Sequence, residues 1–282
     1  TVNATVTVSN GLGSFAKTVK DGFIRTGPAT VYVTTNGSSV YPYTNWSAAA
    51  TNLQDAVDAG VAGTLVLVSN GTYRLSSPVT IGEGVTVRGL NGPGVTIIDG
   101  MTTSQCFVVK NANAVLDGLS VTRAYNASGS GAVYLRLSSV VTNCIFIGNR
   151  SSGSGASAYS AKDGVFLNCV FISNVSFNGH AGGVYGDDGG RIVGCRFEAN
   201  EGGQGGAVNA MNLTVSNCVF VGNYGRDDGG AIMALGPSGV VQNCTFSNNW
   251  TRCWQGGGAL YLSGGRVVDC VFDGNQVTNK SG

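Results

Sequence analysis

The chain has 282 residues, 43% of them apolar and 11% charged, with 45 Gly and only 5 Pro. That content supports a packed core rather than a disordered chain. Sixteen basic residues against fifteen acidic ones leave a formal charge of +1, which gives no electrostatic basis for a nucleic-acid partner or an anionic membrane surface, and no apolar run is long enough for membrane insertion.

In chain order, residues 1–27 read as two alternating strands about the turn SNGLG, a β-hairpin. Residues 28–62 carry a leading strand, VYVTT, and a short helix. The stretch NWSAAATNLQDAVDAG has Leu53, Ala56 and Val57 at helical spacing, an Asn/Ser start and a Gly stop. Placed ahead of the strand-like TLVLVSNGTYRL and VTIGEGVTVRGL, the helix would plug an open end and protect unpaired strand edges.

Residues 63–282 repeat themselves. Cysteines stand at 144, 169, 195, 218, 244 and 270, at intervals of 25, 26, 23, 26 and 26. One step earlier Leu119 takes the place of the cysteine, and before that Ile97, so the period is about 24 residues. Each cysteine belongs to a heptad such as NCVFISN (168–174) or NCVFVGN (217–223), with Cys and Phe two apart and the residue between them free to vary. This alternation is that of a strand with one buried face. A second marker recurs as GGVY from Gly182, GGAV from Gly205, GGAI from Gly229 and GGAL from Gly257, and paired glycines at these points are expected to turn corners with positive φ. Strands, tight corners and a single helix signal at this period describe a parallel β-solenoid. Equivalent residues then stack at about 4.8 Å. The cysteines form one internal column and Phe146, Phe171, Phe197, Phe220, Phe246 and Phe272 another. Asn149, Asn174, Asn200, Asn223, Asn249 and Asn275 close the heptads and are placed to form an amide ladder.

Eight cysteines also raise the question of disulfides or a metal. No CxxC pair is present, and His180 is the sole histidine, which argues against a metal site. In-register copies one coil apart hold their Cβ atoms about 4.8 Å apart, beyond disulfide reach. The six column cysteines are therefore expected to be buried, aligned and reduced.

For catalysis, the candidate residues are Asp187 and Asp188 in YGDDGG, Asp227 and Asp228 in YGRDDGG, and Arg191 and Arg226 beside them. A lyase needs carboxylates that hold Ca²⁺ against an acidic sugar and an Arg or Lys base. A hydrolase needs two carboxylates about 5 to 9.5 Å apart. The first pair follows its glycine-marked strand and the second precedes its own, so the four fall at different corners, and Asp and Gly are also ordinary turn formers. Trp250 and Trp254 in NNWTRCWQGG are the candidate ligand-binding aromatics, able to stack on a sugar ring or to cover an apolar corner.

These residues carry a resemblance. VYVTTNGSSVYPYTNWSAAATNLQDAVDAG followed by GTYRLSSPVTIGEGVTVRGL resembles the first segment of right-handed β-helix proteins of the pectin-lyase-like superfamily, and the FxxN and GGA[ILV] pairs resemble the repeats of the polymorphic outer-membrane protein family of bacterial surface adhesins. The leading hairpin resembles the end of a PKD-type, immunoglobulin-like domain. The resemblance implies an all-β right-handed parallel β-helix with a short N-terminal capping helix. It extends from about Val31 to the C-terminus, and the superfamily holds lyases, hydrolases, adhesins and tailspikes alike. Its hydrolases combine Asn-Thr-Asp, Asp-Asp, Gly-His-Gly and Arg-Ile-Lys segments in that order; here GHAGG around His180 precedes the aspartates and no Arg-Ile-Lys occurs.

The reading that follows is a non-catalytic, structural or adhesive module of a larger bacterial protein, extracellular or at the cell surface. It takes no cofactor, and its partners are glycans or other surface proteins. The alternatives are a polysaccharide lyase or glycoside hydrolase, which would bring in Ca²⁺, and a fibre subunit assembled end to end.

Overall fold

The structure is a computed structural model that describes residues 15–20, 23–153, 155–160, 162–233, 236–253 and 256–278. Each coil of the repeat region passes through four parallel sheets. One coil, for example, runs through Val140–Thr142, Ile145–Ile147, Arg150–Ser151 and Ala158–Ser160 before Val165–Leu167 returns beside Val140–Thr142. The sheets have ten, nine, seven and eight strands respectively, each ordered coil by coil along the axis. The fold is all-β, a right-handed parallel β-helix with one short helix.

The heptads build the nine-stranded sheet and its two corners. The residue before each cysteine sits in the left-handed region, from Asn143 (φ 51°) to Asp269 (φ 50°). So does the residue before each ladder asparagine, as at Gly148 (φ 63°) and Ser173 (φ 52°). Asn, Gly and Asp tolerate that region best, so the pairs NC, GC and DC mark the corners. Between two such corners only three strand residues fit, with Phe inward and its neighbours outward.

Three columns fill the interior. The phenylalanines stack with ring centroids 4.6–5.0 Å apart and planes within 8°. Cys144, Cys169, Cys195, Cys218 and Cys244 are buried free thiols, and burial pushes the Cys169 thiol well above its ordinary range. Asn149 through Asn249 are fully buried. In this ladder each Oδ1 accepts the backbone N–H and the Nδ2 of the asparagine one coil earlier, at 2.8–3.1 Å. Each Nδ2 also donates to a carbonyl of the preceding coil, as Asn174 does to Phe146 at 3.0 Å. One side chain thereby clamps three coils.

The start of the solenoid is covered. The helix, Leu53–Ala59, is capped by Asn52, whose side chain accepts from the Gln54 N–H, and buries Leu53, Ala56, Val57 and Ala59. Its Gln54 amide caps the edge strand Val79–Ile81 as a strand would, accepting from Thr80 N at 2.7 Å and donating to Thr80 O at 3.1 Å. The edge strand Thr30–Val33 is covered by the chain near Tyr43 and Ala50: Tyr32 N donates to Tyr43 O at 2.8 Å and Ala50 N to Tyr32 O at 2.9 Å.

Four sequence expectations are corrected. The stretch SFAKTVKDGFI, read as one strand, is instead two: Phe15–Lys20 pairs antiparallel with Phe23–Pro28; the strand ATVTV and the SNGLG turn lie outside the described residues. Ser120 pairs with Ile97, so Leu119 follows Thr96 in the column and Ile97 points outward. Among the described residues, the Thr96 hydroxyl is the buried side-chain polar atom without a partner. The paired glycines are not positive-φ corners. They are there for room: a Cβ at Gly206 or Gly230 would collide with the carbonyl oxygen of Gly230 or Gly258 on the next coil. Their phase also shifts by one, since Ala181, not Gly182, pairs with Gly205. Finally, Cys270 is only half-buried, as is Asn275, and Phe272 is exposed, because these belong to the last coil among the described residues.

Two outcomes follow. Asn200→Ala removes the acceptor of the Asn174 N–H and a donor to the Phe171 carbonyl. It should cost on the order of 1 to 3 kcal/mol for each group left unpaired, whereas outward Thr245→Ala should stay within about 0.5 kcal/mol. Urea denaturation midpoints compare them, and equal losses would reverse the assignment of the inward face. In native protein an aromatic disulfide reagent should modify only Cys253 and Cys270, and all eight thiols should titrate after denaturation without reductant; a shortfall would reveal disulfides.

Candidate functional site: an arginine-lined corner groove

Along one corner of the first coils runs a chain of three clefts. A cleft of about 320 Å³ lies between the helix start and the end of the strand Gly71–Arg74, lined by Asn52, Gln54, Tyr73 and Arg74. It shares Ser76 and Ser77 with a second cleft of about 400 Å³ that reaches Gln105 and Tyr125. Tyr125 in turn borders a third, of about 480 Å³, lined by Thr102, Arg123, Arg150 and Phe177. The groove crosses five successive coils, roughly 20 Å at the coil rise.

Its charge is one-sided. Arg74, Arg123 and Arg150 line it, and the carboxylate beneath is already committed. Asp99, 3% exposed, is paired bidentately with Arg123 through Oδ1 at 3.0 Å and through Oδ2 and accepts the Met101 N–H at 2.9 Å. Burial alone would raise the Asp99 carboxyl; the Arg123 hydrogen bond, the Met101 N–H and the charges of Arg123 and Arg74 outweigh it and hold it below the usual carboxylate value. Asp99 is thus a fixed anion that orients Arg123, and the outer arginines are uncompensated by any other lining carboxylate. The Arg150 guanidinium lies 5.9 Å above the Phe177 ring, a cation–π arrangement that leaves its edge donors outward.

The backbone is strained at the same place. Met101, Thr102 and Arg123 have φ of 53°, 62° and 50°. Arg123 holds the corner position that later coils fill with Gly148, Ser173, Ala199, Gly222 and Asn248. Arg123 thus carries a long side chain at a corner where the left-handed backbone costs a non-glycine residue about 1–2 kcal/mol.

The residues singled out from sequence lie elsewhere and do not converge. Asp187 and Asp188, both exposed, follow the strand Val184–Gly186. Asp187 accepts the Tyr159 hydroxyl and Asp188 accepts Asn212 Nδ2 at 2.8 Å. Asp227 and Asp228 sit at another corner, between the seven- and eight-stranded sheets. The Asp228 carboxyl is raised by burial and by the charge of Asp227. Arg226 is a strut, bonded to Glu201 at 2.8 Å and to the Ser176 carbonyl. Arg191 is an exposed strand residue. Trp250 stacks on Tyr224 at 3.8 Å with one face covered; Trp254 lies outside the described residues. Among the described residues no three of His, Cys, Asp and Glu are grouped to hold a metal ion.

A second cluster does form, on the eight-stranded sheet. Tyr134, Tyr159 and Tyr185 stack along the axis at 4.9 and 5.2 Å, closed at one end by Arg136, 5.6 Å over Tyr134, and at the other by His180, 4.7 Å from Tyr185. Burial, the Asp187 hydrogen bond and its charge push the Tyr159 and Tyr185 phenols up. His180 Nδ1 meets Gln204 Oε1, which also accepts Asn209 Nδ2 at 2.8 Å. The ring faces are spent on one another, and the Tyr159 hydroxyl on Asp187.

Residues 168–282 match the family model described as a right-handed beta helix region. Three solved structures are similar in fold: an alginate lyase of the PL6 family, AlyGC (14% identity, 78% of this chain and 40% of that one, TM-score 0.43); pectate lyase Pel9A (17%, 90% and 79%, 0.43); and the pectin methylesterase of Aspergillus niger (12%, 94% and 90%, 0.41). This chain spans less than half the length of the alginate lyase. No curated protein matches the sequence.

The Asp99 pair predicts a pH dependence. A carboxyl held below its ordinary value of about 4 contributes its full stabilisation above that value and loses it as pH falls through the lowered one. Acidification from about pH 5 to 2 should therefore lower the melting temperature more in wild type than in Asp99→Asn. Parallel curves would mean that the pair contributes nothing.

Proposed function

We propose that the chain is a non-catalytic β-helix module, secreted or displayed at a bacterial surface, whose corner groove binds an extended acidic glycan. The observation that carries this reading is the row Arg74, Arg123 and Arg150 along one groove, with the buried Asp99 consumed in orienting Arg123. Guanidinium groups bind carboxylates and sulfates with paired donors, and Tyr125 and Phe177 supply the apolar surface that sugar rings favour. A groove that crosses coils suits a polymer lying along the axis. Asp99 is a poor general acid, being fixed in its ionised form, and the groove offers no second carboxylate among its lining residues.

A second reading, a polysaccharide lyase or hydrolase, is favoured by one observation: His180, Tyr159, Tyr185 and Asp187 lie in one contiguous chain of contacts. There a phenol or the imidazole would move the proton.

One set of measurements separates the two. Oligouronates and sulfated oligosaccharides should bind, neutral oligosaccharides should not, and added salt should weaken binding. Arg74→Gln with Arg150→Gln should reduce affinity about tenfold or more at an unchanged melting temperature. No unsaturated product or new reducing end should form. Turnover that disappears in His180→Ala or Asp187→Asn would overturn the non-catalytic reading, and unchanged binding in the double arginine variant would remove the groove from it.

A further inference from the structure

The outer face of the nine-stranded sheet is aliphatic where a solvent-facing sheet is ordinarily polar. Each heptad strand points its first and third residues outward, and in successive coils these are Ile145 and Ile147, Val170 and Ile172, Arg196 and Glu198, Val219 and Val221, then Thr245 and Ser247. All remain partly or well exposed. The corner residues flanking them are short, among them Gly148, Ser173, Gly194, Ala199 and Gly222, so a flat partner can approach. By contrast, the outward columns of the ten-stranded sheet are broken by Arg88, Asp117, Arg191 and Arg266.

We propose that this face docks a second copy of the chain, side by side, with the two solenoids parallel about a two-fold axis along their length. Such an axis reverses the strand direction across the interface, so that the first outward residue of each strand meets the third of its counterpart. Val170 then faces Ile172, Val219 faces Val221 and Ile145 faces Ile147. The one charged strand is complementary under the same rotation. Arg196 of each copy meets Glu198 of the other, replacing a bond each now makes within its own strand at 2.7 Å. Antiparallel solenoids would set Arg196 against Arg196. A glycan finds few hydrogen-bonding groups on the aliphatic coils, whereas a like surface buries them. The face measures roughly 24 by 17 Å, about 400 Å² per copy, which is small for a permanent dimer and fits a reversible one.

Sedimentation equilibrium tests this with wild type, Arg196→Glu, Glu198→Arg and an equimolar mixture of the two variants. Wild type should pass from monomer to dimer between about 1 and 200 μM. Each variant alone juxtaposes like charges and should stay monomeric, and the mixture should regain the dimer mass because every pair is again opposite in sign. Matching melting curves establish that both variants fold, and Ile172→Lys, which buries a charge in the interface, should be monomeric as well. Wild type that remains monomeric at the highest concentration, single variants that dimerise as well as wild type, or a mixture that stays monomeric would each overturn the proposal.

Discussion

The asparagine ladder is the constraint on which the rest of the molecule depends. A buried amide without partners costs on the order of 1 to 3 kcal/mol for each unpaired group, so each ladder asparagine is favourable only when its neighbours are present and in register. Because the Asn200 Oδ1 receives two donors from the previous coil while its Nδ2 donates to the Phe171 carbonyl of that coil and to the Asn223 Oδ1 of the next, slipping one coil by a single residue would break contacts on three. The phenylalanine stack and the thiol column share the same register.

The columns were legible because they repeat. Identical residues at a near-constant interval leave one arrangement that brings them together, and Asn52, Leu53 and Gly60 mark the helix as plainly. Single-copy features were harder to see. Ile97 stands in for Thr96 in the repeat alignment because the turn before it is longer than all later ones, and a glycine pair signals dihedral freedom as readily as the close approach between coils that excludes a side chain there. The groove arginines come from different coils and share no motif. Only Arg123 left a signal, once VTRA is aligned on FIGN and an arginine appears where a corner requires Gly, Ser, Ala or Asn.

On the readings proposed above, recognition in this architecture is a departure from the repeat. The interior enforces sameness, while the outward positions and corners are free to differ between coils. Arg123 in its strained corner and the aliphatic run ending at Val221 are both local deviations on an otherwise interchangeable frame. The aspartate pairs, conspicuous as sequence, lie at two different corners, where Asp187 accepts a tyrosine hydroxyl and Asp188 an asparagine amide.

The heptads keep a fixed length although the cysteine intervals range from 23 to 26 residues. All variation in coil length is taken up in the segments between one ladder asparagine and the next corner before a cysteine. The gene is in effect divided into two kinds of territory. Within a heptad, loss of one codon would turn Phe outward and pull Asn off its rung. Between heptads, in the loops that join the strands of the other three sheets, codons can be gained or lost with the register intact, so new surface loops can evolve there by length as well as by substitution.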